Sequence, residues 1–231
     1  TGMNLVSIIR KGTVLAMLVV VTACTTAPPP PPPPPKVVEI PRRPYPPMGA
    51  SPTLTVPPLG PDGTRRTINT AVGPMQAAWN LRSAYNVAAL NCRDPQYEPI
   101  IVSYSQFLKT HSKALASINT ALDREFRAQH GNSGNRVRDS YQTQVYNYFA
   151  LPPVLPVFCE ATMQLAQEMA AVRPEDYPTY APTGLAKLEA IYLDFFERFE
   201  QYRRDVAAWD AQYSPQQPVI AAETLSPISV E

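Results

Sequence analysis

Histidines, cysteines and clustered carboxylates are the side chains from which most active sites and metal centres are built. This chain of 231 residues has only two histidines, His111 and His130. Neither belongs to the Glu-x-x-His or His-Glu-x-x-His motif of di-iron bundles and zinc proteases. The segment 131–134, Gly-Asn-Ser-Gly, is not a complete Gly-x-Ser-x-Gly nucleophile elbow. The sequence therefore predicts a protein that is not an enzyme and that uses no metal or other cofactor.

Two groups of residues could nevertheless contact a ligand or a partner. His111 lies on the apolar stripe of a predicted helix. It is either a buried histidine bonded to a neighbour or a ligand-contacting residue inside a bundle. Tyr141, Tyr146, Tyr148 and Phe149 form an aromatic cluster. This cluster is either core packing or a partner-binding face, because tyrosine is common in both places.

The charge of the chain limits its partners. Lysine and arginine number 20 against 19 acidic residues, which gives a net charge of +1. A nucleic-acid-binding protein needs a strongly basic face, so we expect no nucleic-acid partner.

The N-terminus carries a targeting signal. A basic pair at 10–11 precedes an apolar run at 12–21, which is shorter than the about 20 residues that span a bilayer. The following Val-Thr-Ala-Cys at 21–24 resembles the lipobox of bacterial lipoproteins. The resemblance implies cleavage before Cys24 and acylation of Cys24. Because Thr25 rather than Asp follows, it also implies an outer-membrane location, with the domain facing the periplasm. An uncleaved signal anchor is the alternative.

The other two of the three cysteines are Cys92 and Cys159. If Cys24 carries lipid, they remain as the pair that an oxidising periplasm would join. An up-down order of helices also brings them to the same end of the bundle. A Cys92–Cys159 disulfide is the simplest prediction, and two buried thiols are the alternative.

Composition divides the chain into four parts. Residues 1–23 form the signal peptide, 24–52 a lipid-anchored proline-rich linker, 53–213 the helical domain and 214–231 a flexible tail. Consecutive prolines at Pro28–Pro35 can adopt only polyproline II, a stiff rod of about 25 Å at about 3.1 Å per residue. The linker is either a spacer or a docking strip for a proline-recognising partner.

Helical periodicity predicts an all-α, up-down bundle with two long heptad-patterned helices. Apolar residues recur at spacings of three and four over 101–122 and again over 185–213. Shorter helices are predicted at 75–91, 135–150 and 156–172. The first stripe is Ile101, Tyr104, Leu108, His111, Leu115, Ile118 and Leu122. The second is Leu185, Leu188, Tyr192, Phe195, Phe199, Tyr202, Val206, Trp209 and Tyr213.

A small β-hairpin is expected at the start of the domain. Residues 53–56 alternate between polar and apolar, 61–63 is a Pro-Asp-Gly turn signal, and 64–70 is rich in threonine.

These features predict a non-catalytic outer-membrane lipoprotein that acts as a tethered helical scaffold or as an accessory subunit of an envelope assembly. Its partners would be the membrane, through the lipid on Cys24, and a protein of the envelope. The alternative is a periplasmic binding module for a small ligand or a cell-wall glycan. A cavity open to His111 favours the binding module, whereas an exposed apolar patch favours the scaffold.

Overall fold

The computed structural model describes residues 40–214 of the chain. Within this range all regular structure is helical and no strand forms, which confirms the predicted all-α class. The predicted signal peptide, Cys24, the proline run and residues 215–231 lie outside the described residues. The α-helices are α1 (Pro74–Asn91), α2 (Glu98–Thr110), α3 (Ser112–His130), α4 (Gly134–Phe149), α5 (Leu155–Ala170) and α6 (Tyr177–Tyr213).

Helix α1 is the centre of the bundle, because it packs against every other α-helix of the described domain. Pro74 starts it, at the first helical position, where a missing N–H costs nothing. Ala77, Ala78, Ala84 and Ala88 are buried on several sides of the helix. Their small side chains let the neighbouring helices approach closely, and a helix that is apolar all round is typical of a bundle centre.

The first predicted long helix is interrupted at His111, which ends α2 and precedes α3. The His111 backbone has φ −96° and ψ 13°, outside the α-helical range. The two halves have different neighbours, since α2 packs on α5 and α3 packs on α4. The predicted stripe is also displaced at its start. Ile100 is buried, whereas Ile101 is 42% exposed.

The second predicted long helix is α6, which has 37 residues and is about 55 Å long at 1.5 Å per residue. The predicted apolar stripe is buried from Leu185 to Tyr202, and its last three members are half-buried. Helix α5 runs antiparallel to α6. Its Phe158 ring lies 5.8 Å from that of Tyr192, and Glu168 accepts a hydrogen bond from Tyr180 at 2.8 Å. Because α5 starts beside Tyr192, α6 continues about 30 Å past it.

Cys92 and Cys159 form a disulfide, with Cα atoms 5.6 Å apart, so the predicted pairing is confirmed. The bond joins the C-terminal end of α1 to the first turns of α5, and α2 begins nearby at Glu98. We call the place where these three helix ends meet the disulfide end.

The predicted β-hairpin is wrong, because only one antiparallel bridge forms, between Leu59 and Arg65. The turn at 61–63 is present, and the Gly63 N–H donates to the Gly60 carbonyl at 2.9 Å. Gly63 has φ +76°, which glycine adopts without strain. A ladder cannot extend from this bridge, because the prolines at 57, 58 and 61 have no N–H to donate.

Residues 40–72 form a strap that lies along α6. The strap runs from the C-terminal end of α6 towards its middle, antiparallel to the helix. Residues 40–52, which composition assigned to the linker, include the part of the strap beside the C-terminal end of α6. Three hydrogen-bonded pairs mark its course: Pro41 with Trp209, Arg65 with Glu200, and Asn69 with Glu189.

Candidate functional site

The structure places His111 in the interior, where 2% of its surface is exposed. Its Nδ1 lies 3.2 Å from the Phe107 carbonyl oxygen, and its Nε2 lies 3.1 Å from the Val172 carbonyl oxygen. The ring also packs 5.4 Å from the ring of Tyr177. A neutral imidazole has one N–H and can donate to only one of these carbonyls, whereas an imidazolium can donate to both. The Nε2 contact places the His111 ring between the end of α2 and the segment that follows α5.

His111 also lines a cavity of about 170 Å³ between α1, α2 and α5, together with Tyr85, Phe107 and Met169. Burial raises the pKa of Tyr85, and a hydrogen bond with Ser103 opposes this. Pockets for drug-sized ligands have volumes of about 300–1,000 Å³. This cavity is therefore large enough only for water or a very small molecule, and both ring nitrogens of His111 already face backbone oxygens.

The aromatic cluster lies in the interior of the bundle. Phe149 is fully buried, and the three tyrosines are half-buried. The Tyr141 hydroxyl accepts a hydrogen bond from Asn80 Nδ2 at 2.6 Å, and the Tyr146 hydroxyl accepts one from Arg82 at 2.9 Å. Tyr141 and Tyr146 therefore contact α1, whereas Tyr148 and Phe149 pack on Tyr192 of α6.

Several buried tyrosines have hydroxyls unsuited to acid–base chemistry at neutral pH. Burial raises the pKa of Tyr148, Tyr177 and Tyr192 above 10.0. The Tyr177 hydroxyl donates to the Ala78 carbonyl at 2.6 Å, and the Tyr192 hydroxyl donates to the Phe149 carbonyl at 2.7 Å. The Tyr177 and Tyr192 phenols remain protonated at neutral pH and act as structural donors, whereas the buried Tyr148 hydroxyl has no hydrogen-bond partner among residues 40–214.

Four large apolar side chains are exposed at the disulfide end: Leu90 on α1, Ile101 and Val102 on α2, and Val157 on α5. We call this group the apolar end surface. Val102 is the most exposed of them, at 65%. Isolated exposed apolar residues are ordinary, whereas several at one end of a domain could contribute to a contact site.

A shallow recess of about 660 Å³ adjoins the apolar end surface, between Val102 and the prolines Pro95 and Pro99. Sequence reasoning missed this surface. The signal that could have found it is the set of apolar residues that the helical stripes leave unassigned, which includes Leu90, Val102 and Val157.

Residues 40–214 contain no group of three or more histidine, cysteine, aspartate or glutamate side chains placed to hold a metal ion. In the same range no single helix is long and apolar enough to cross a bilayer. One bent pair, Ser112–Phe149 with Pro152–Ala170, meets the length and composition criteria when joined.

Comparison of this chain with protein-family models, curated proteins and solved structures finds no match. The function must therefore be argued from the geometry of the described residues.

Proposed function

We propose that the protein acts by contact: a lipid on Cys24 holds it to the outer membrane, and the apolar end surface binds a protein of the envelope. The observation that carries this proposal is the grouping of Leu90, Ile101, Val102 and Val157 at the disulfide end. Apolar surface in water is unfavourable by about 25 cal/mol per Å² relative to a buried state, and a protein partner would remove that cost.

The path of the chain supports a tether at the same end. Residue 40 lies beside the C-terminal end of α6, where the Pro41 carbonyl accepts a hydrogen bond from Trp209 at 2.8 Å. Arg43 donates to both carboxylate oxygens of Asp210, at 2.9 and 2.7 Å, and lowers the pKa of that carboxyl. Because this part of α6 extends past the disulfide end, a tether that precedes residue 40 would hold the domain by that end.

A tether of this kind raises the effective concentration of the domain for a partner in the same membrane, provided that the linker spans the gap. A modest apolar surface can then suffice, because much of the entropic cost of association has already been met by the anchor. The lipid, the linker and the apolar end surface would then act together.

Site-specific photo-crosslinking in intact cells tests the proposal. A benzophenone amino acid at Val102 is expected to give a discrete crosslinked product. The same amino acid at Ala116, which is exposed on α3 away from the disulfide end, is the matched control and should give none. Cys24→Ser should release the protein from the outer-membrane fraction and abolish the Val102 product.

Two results would contradict this function. One is quantitative retention of Cys24→Ser in the outer membrane, which would exclude the lipid anchor. The other is an equal yield of products from Val102 and Ala116, which would show that the apolar end surface has no special partner. Val102→Asp should lose the partner without a change in melting temperature, because the side chain is exposed.

A second candidate function is a binding module for a small ligand or a cell-wall glycan. It is favoured by a separate observation, a polar cleft between α3 and α4.

A further inference from the structure

A polar cleft of about 320 Å³ lies between α3 and α4, beside Trp79 of α1. Asn119 and Arg127 line it from α3, and Asn135 and Asp139 line it from α4. Apart from Trp79, all the lining side chains are polar or charged. The volume is near the lower limit of about 300 Å³ for small-molecule sites, so the cleft suits a small polar ligand.

The charges that line the cleft balance, which disfavours an ionic ligand. Arg127 and Arg138 contribute two positive charges, and Asp123 and Asp139 contribute two negative charges. An anion would lie near two carboxylates and a cation near two guanidinium groups, so repulsion would offset attraction in both cases. A neutral ligand rich in hydrogen-bonding groups meets no such opposition.

A buried network fixes the inner wall of the cleft. Arg138, 7% exposed, donates to the Asp123 carboxylate and to Asn119 Oδ1, and its guanidinium carbon lies 5.3 Å from the Trp79 ring centroid. With the Gln142 amide turned so that its oxygen faces these donors, that oxygen accepts from Trp79 Nε1 at 3.1 Å and from Arg138 Nε at 3.2 Å. Side chains held in this way lose little entropy when a ligand binds.

The outer rim of the cleft keeps groups free for a ligand. Arg127 Nε donates to Asn135 Oδ1 at 3.2 Å, which leaves the Asn135 amide N–H groups as donors. Among residues 40–214 the Asp139 carboxylate has no hydrogen-bond or ion-pair partner. A sugar hydroxyl donates one hydrogen bond and accepts two, and an acetamido group pairs with amide side chains. The Trp79 ring itself lies against two guanidinium groups, that of Arg82 at 5.2 Å and that of Arg138 at 5.3 Å, so it belongs to the fixed inner wall and the polar rim makes the contacts with a ligand.

We infer that this cleft binds a neutral saccharide that carries hydroxyl and acetamido groups. The inference is independent of the partner contact proposed above, because the cleft and the apolar end surface share no residues. The same chemistry could come from a free oligosaccharide or from the glycan strands of a cell wall, and the experiment must separate these sources.

The test uses the full-length protein in detergent with N,N′-diacetylchitobiose as the probe. The chain has two tryptophans, so Trp209→Phe leaves Trp79 as the only indole reporter in the cleft. We expect a saturable change in its fluorescence. Arg127→Ala and Asp139→Ala should each weaken binding about tenfold or more, since each removes a charged hydrogen-bonding group. Arg124→Ala removes an exposed arginine of the same helix that does not line the cleft, and it should leave the affinity unchanged.

Co-sedimentation with purified peptidoglycan sacculi identifies the source. Sedimentation that Asp139→Ala abolishes assigns the cleft to wall glycan, whereas binding of the disaccharide alone assigns it to free saccharides. The inference is overturned if neither probe binds, if Arg124→Ala weakens binding as much as Arg127→Ala, or if inorganic phosphate binds in place of the sugar. Unchanged thermal melts of the alanine variants will show that the fold is intact.

Discussion

The two ring nitrogens of His111 face backbone carbonyls from different parts of the chain, Phe107 near the end of α2 and Val172 after α5. The Phe107 carbonyl already accepts the backbone N–H of His111 at 2.9 Å. An imidazole N–H on Nε2 therefore supplies the Val172 carbonyl with a donor that water would otherwise provide. This explains why a polar residue occupies an apolar stripe without being part of a reaction centre.

His111→Ala is expected to lower the free energy of unfolding by about 2 to 4 kcal/mol, because it removes the ring that packs on Phe107 and Tyr177, leaves the Val172 carbonyl without that donor and enlarges the adjoining cavity. His130→Ala is the matched control. That histidine is exposed at the end of α3, so its loss should cost less than about 0.5 kcal/mol. Urea unfolding measures both, and equal values for the two variants would contradict the bridging role.

The buried tyrosines predict a loss of stability in alkali. Tyr148, Tyr177 and Tyr192 have pKa values raised above 10.0 by burial. Below pH 10 these phenols are protonated in both the folded and the unfolded chain and add no pH dependence. Above about pH 10 only the unfolded chain releases their protons, so the free energy of unfolding falls as the pH rises.

Parallel titrations by phenolate absorbance and circular dichroism test this. The absorbance of the buried tyrosines should rise together with the loss of helix, in one step. Ionisation of every tyrosine near pH 10 in a chain that is still helical would contradict the burial of these hydroxyls.

For single residues, the sequence predicts the cysteine pair and the buried histidine better than a site whose residues come from several helices. The pairing of Cys92 with Cys159 follows from elimination and helix order, and burial was one of two readings for His111. The polar cleft had no sequence signal, because Trp79, Asn119 and Arg138 lie on three helices. Only the packing of α1 against the α3–α4 pair brings them together.

The disulfide is the strongest covalent constraint on the order of the helices. It joins positions separated by 67 residues, for which the loop-entropy model gives about 4 kcal/mol of stabilisation. Cys92→Ser with Cys159→Ser should lower the free energy of unfolding by about that amount, measured by denaturant titration. Free thiols at both positions in protein isolated from the envelope, detected by mass spectrometry without reduction, would contradict the pairing.

The strap depends on one partly buried ion pair more than on an exposed one. The Arg65 side chain is 4% exposed, donates to both carboxylate oxygens of Glu200 and lowers the pKa of that carboxyl. Arg65→Ala should therefore cost about 1.5 to 3 kcal/mol. Arg43→Ala breaks the exposed pair with Asp210 and should cost less than about 1 kcal/mol.

Limited proteolysis within 40–72, together with thermal melts, measures both effects. Arg65→Ala should make the strap much more sensitive to protease, and Arg43→Ala only slightly. A strap that is cleaved equally fast in both variants and in the parent protein would show that Arg65 does not hold it.

The sequence predicts a helix correctly where the apolar periodicity is sustained. It does not predict the backbone where packing against neighbouring helices, or prolines in the segment, determine it. The stripe from Leu185 to Tyr202 marks α6, because one face of it is buried throughout. The break at His111 has no proline or glycine signal and arises because α2 and α3 pack on different helices. The expected hairpin gave turn and threonine signals, but its prolines prevent a ladder.

The described domain, residues 40–214, is asymmetric, since α6 and the strap extend past a bundle whose other helices have 13 to 19 residues. The chain enters at residue 40 on this extension, beside Trp209. We expect the eight prolines of Pro28–Pro35 to set how far the apolar end surface can reach from the anchor. The length of the linker sets this distance and can be changed without any substitution in the folded domain.

Changing the linker therefore gives the last prediction. Eight residues in polyproline II would span about 25 Å. A Gly-Ser segment of the same residue number has a mean end-to-end distance of about 16 Å, since flexible chains follow about 5–6 Å times the square root of the residue number. The yield of the Val102 crosslink in cells should fall from the parent to the Gly-Ser variant and fall again when 28–35 is deleted. The melting temperature should not change, because these residues precede the folded domain.

An unchanged crosslink in the deletion variant, with the protein still in the outer-membrane fraction, would mean that the partner is not reached through the tether. If the proline run is instead a docking strip for a proline-recognising partner, the Gly-Ser variant and the deletion should lower the yield equally, because both remove the prolines. A stepwise decline from the parent to the Gly-Ser variant to the deletion therefore favours the reach of the linker.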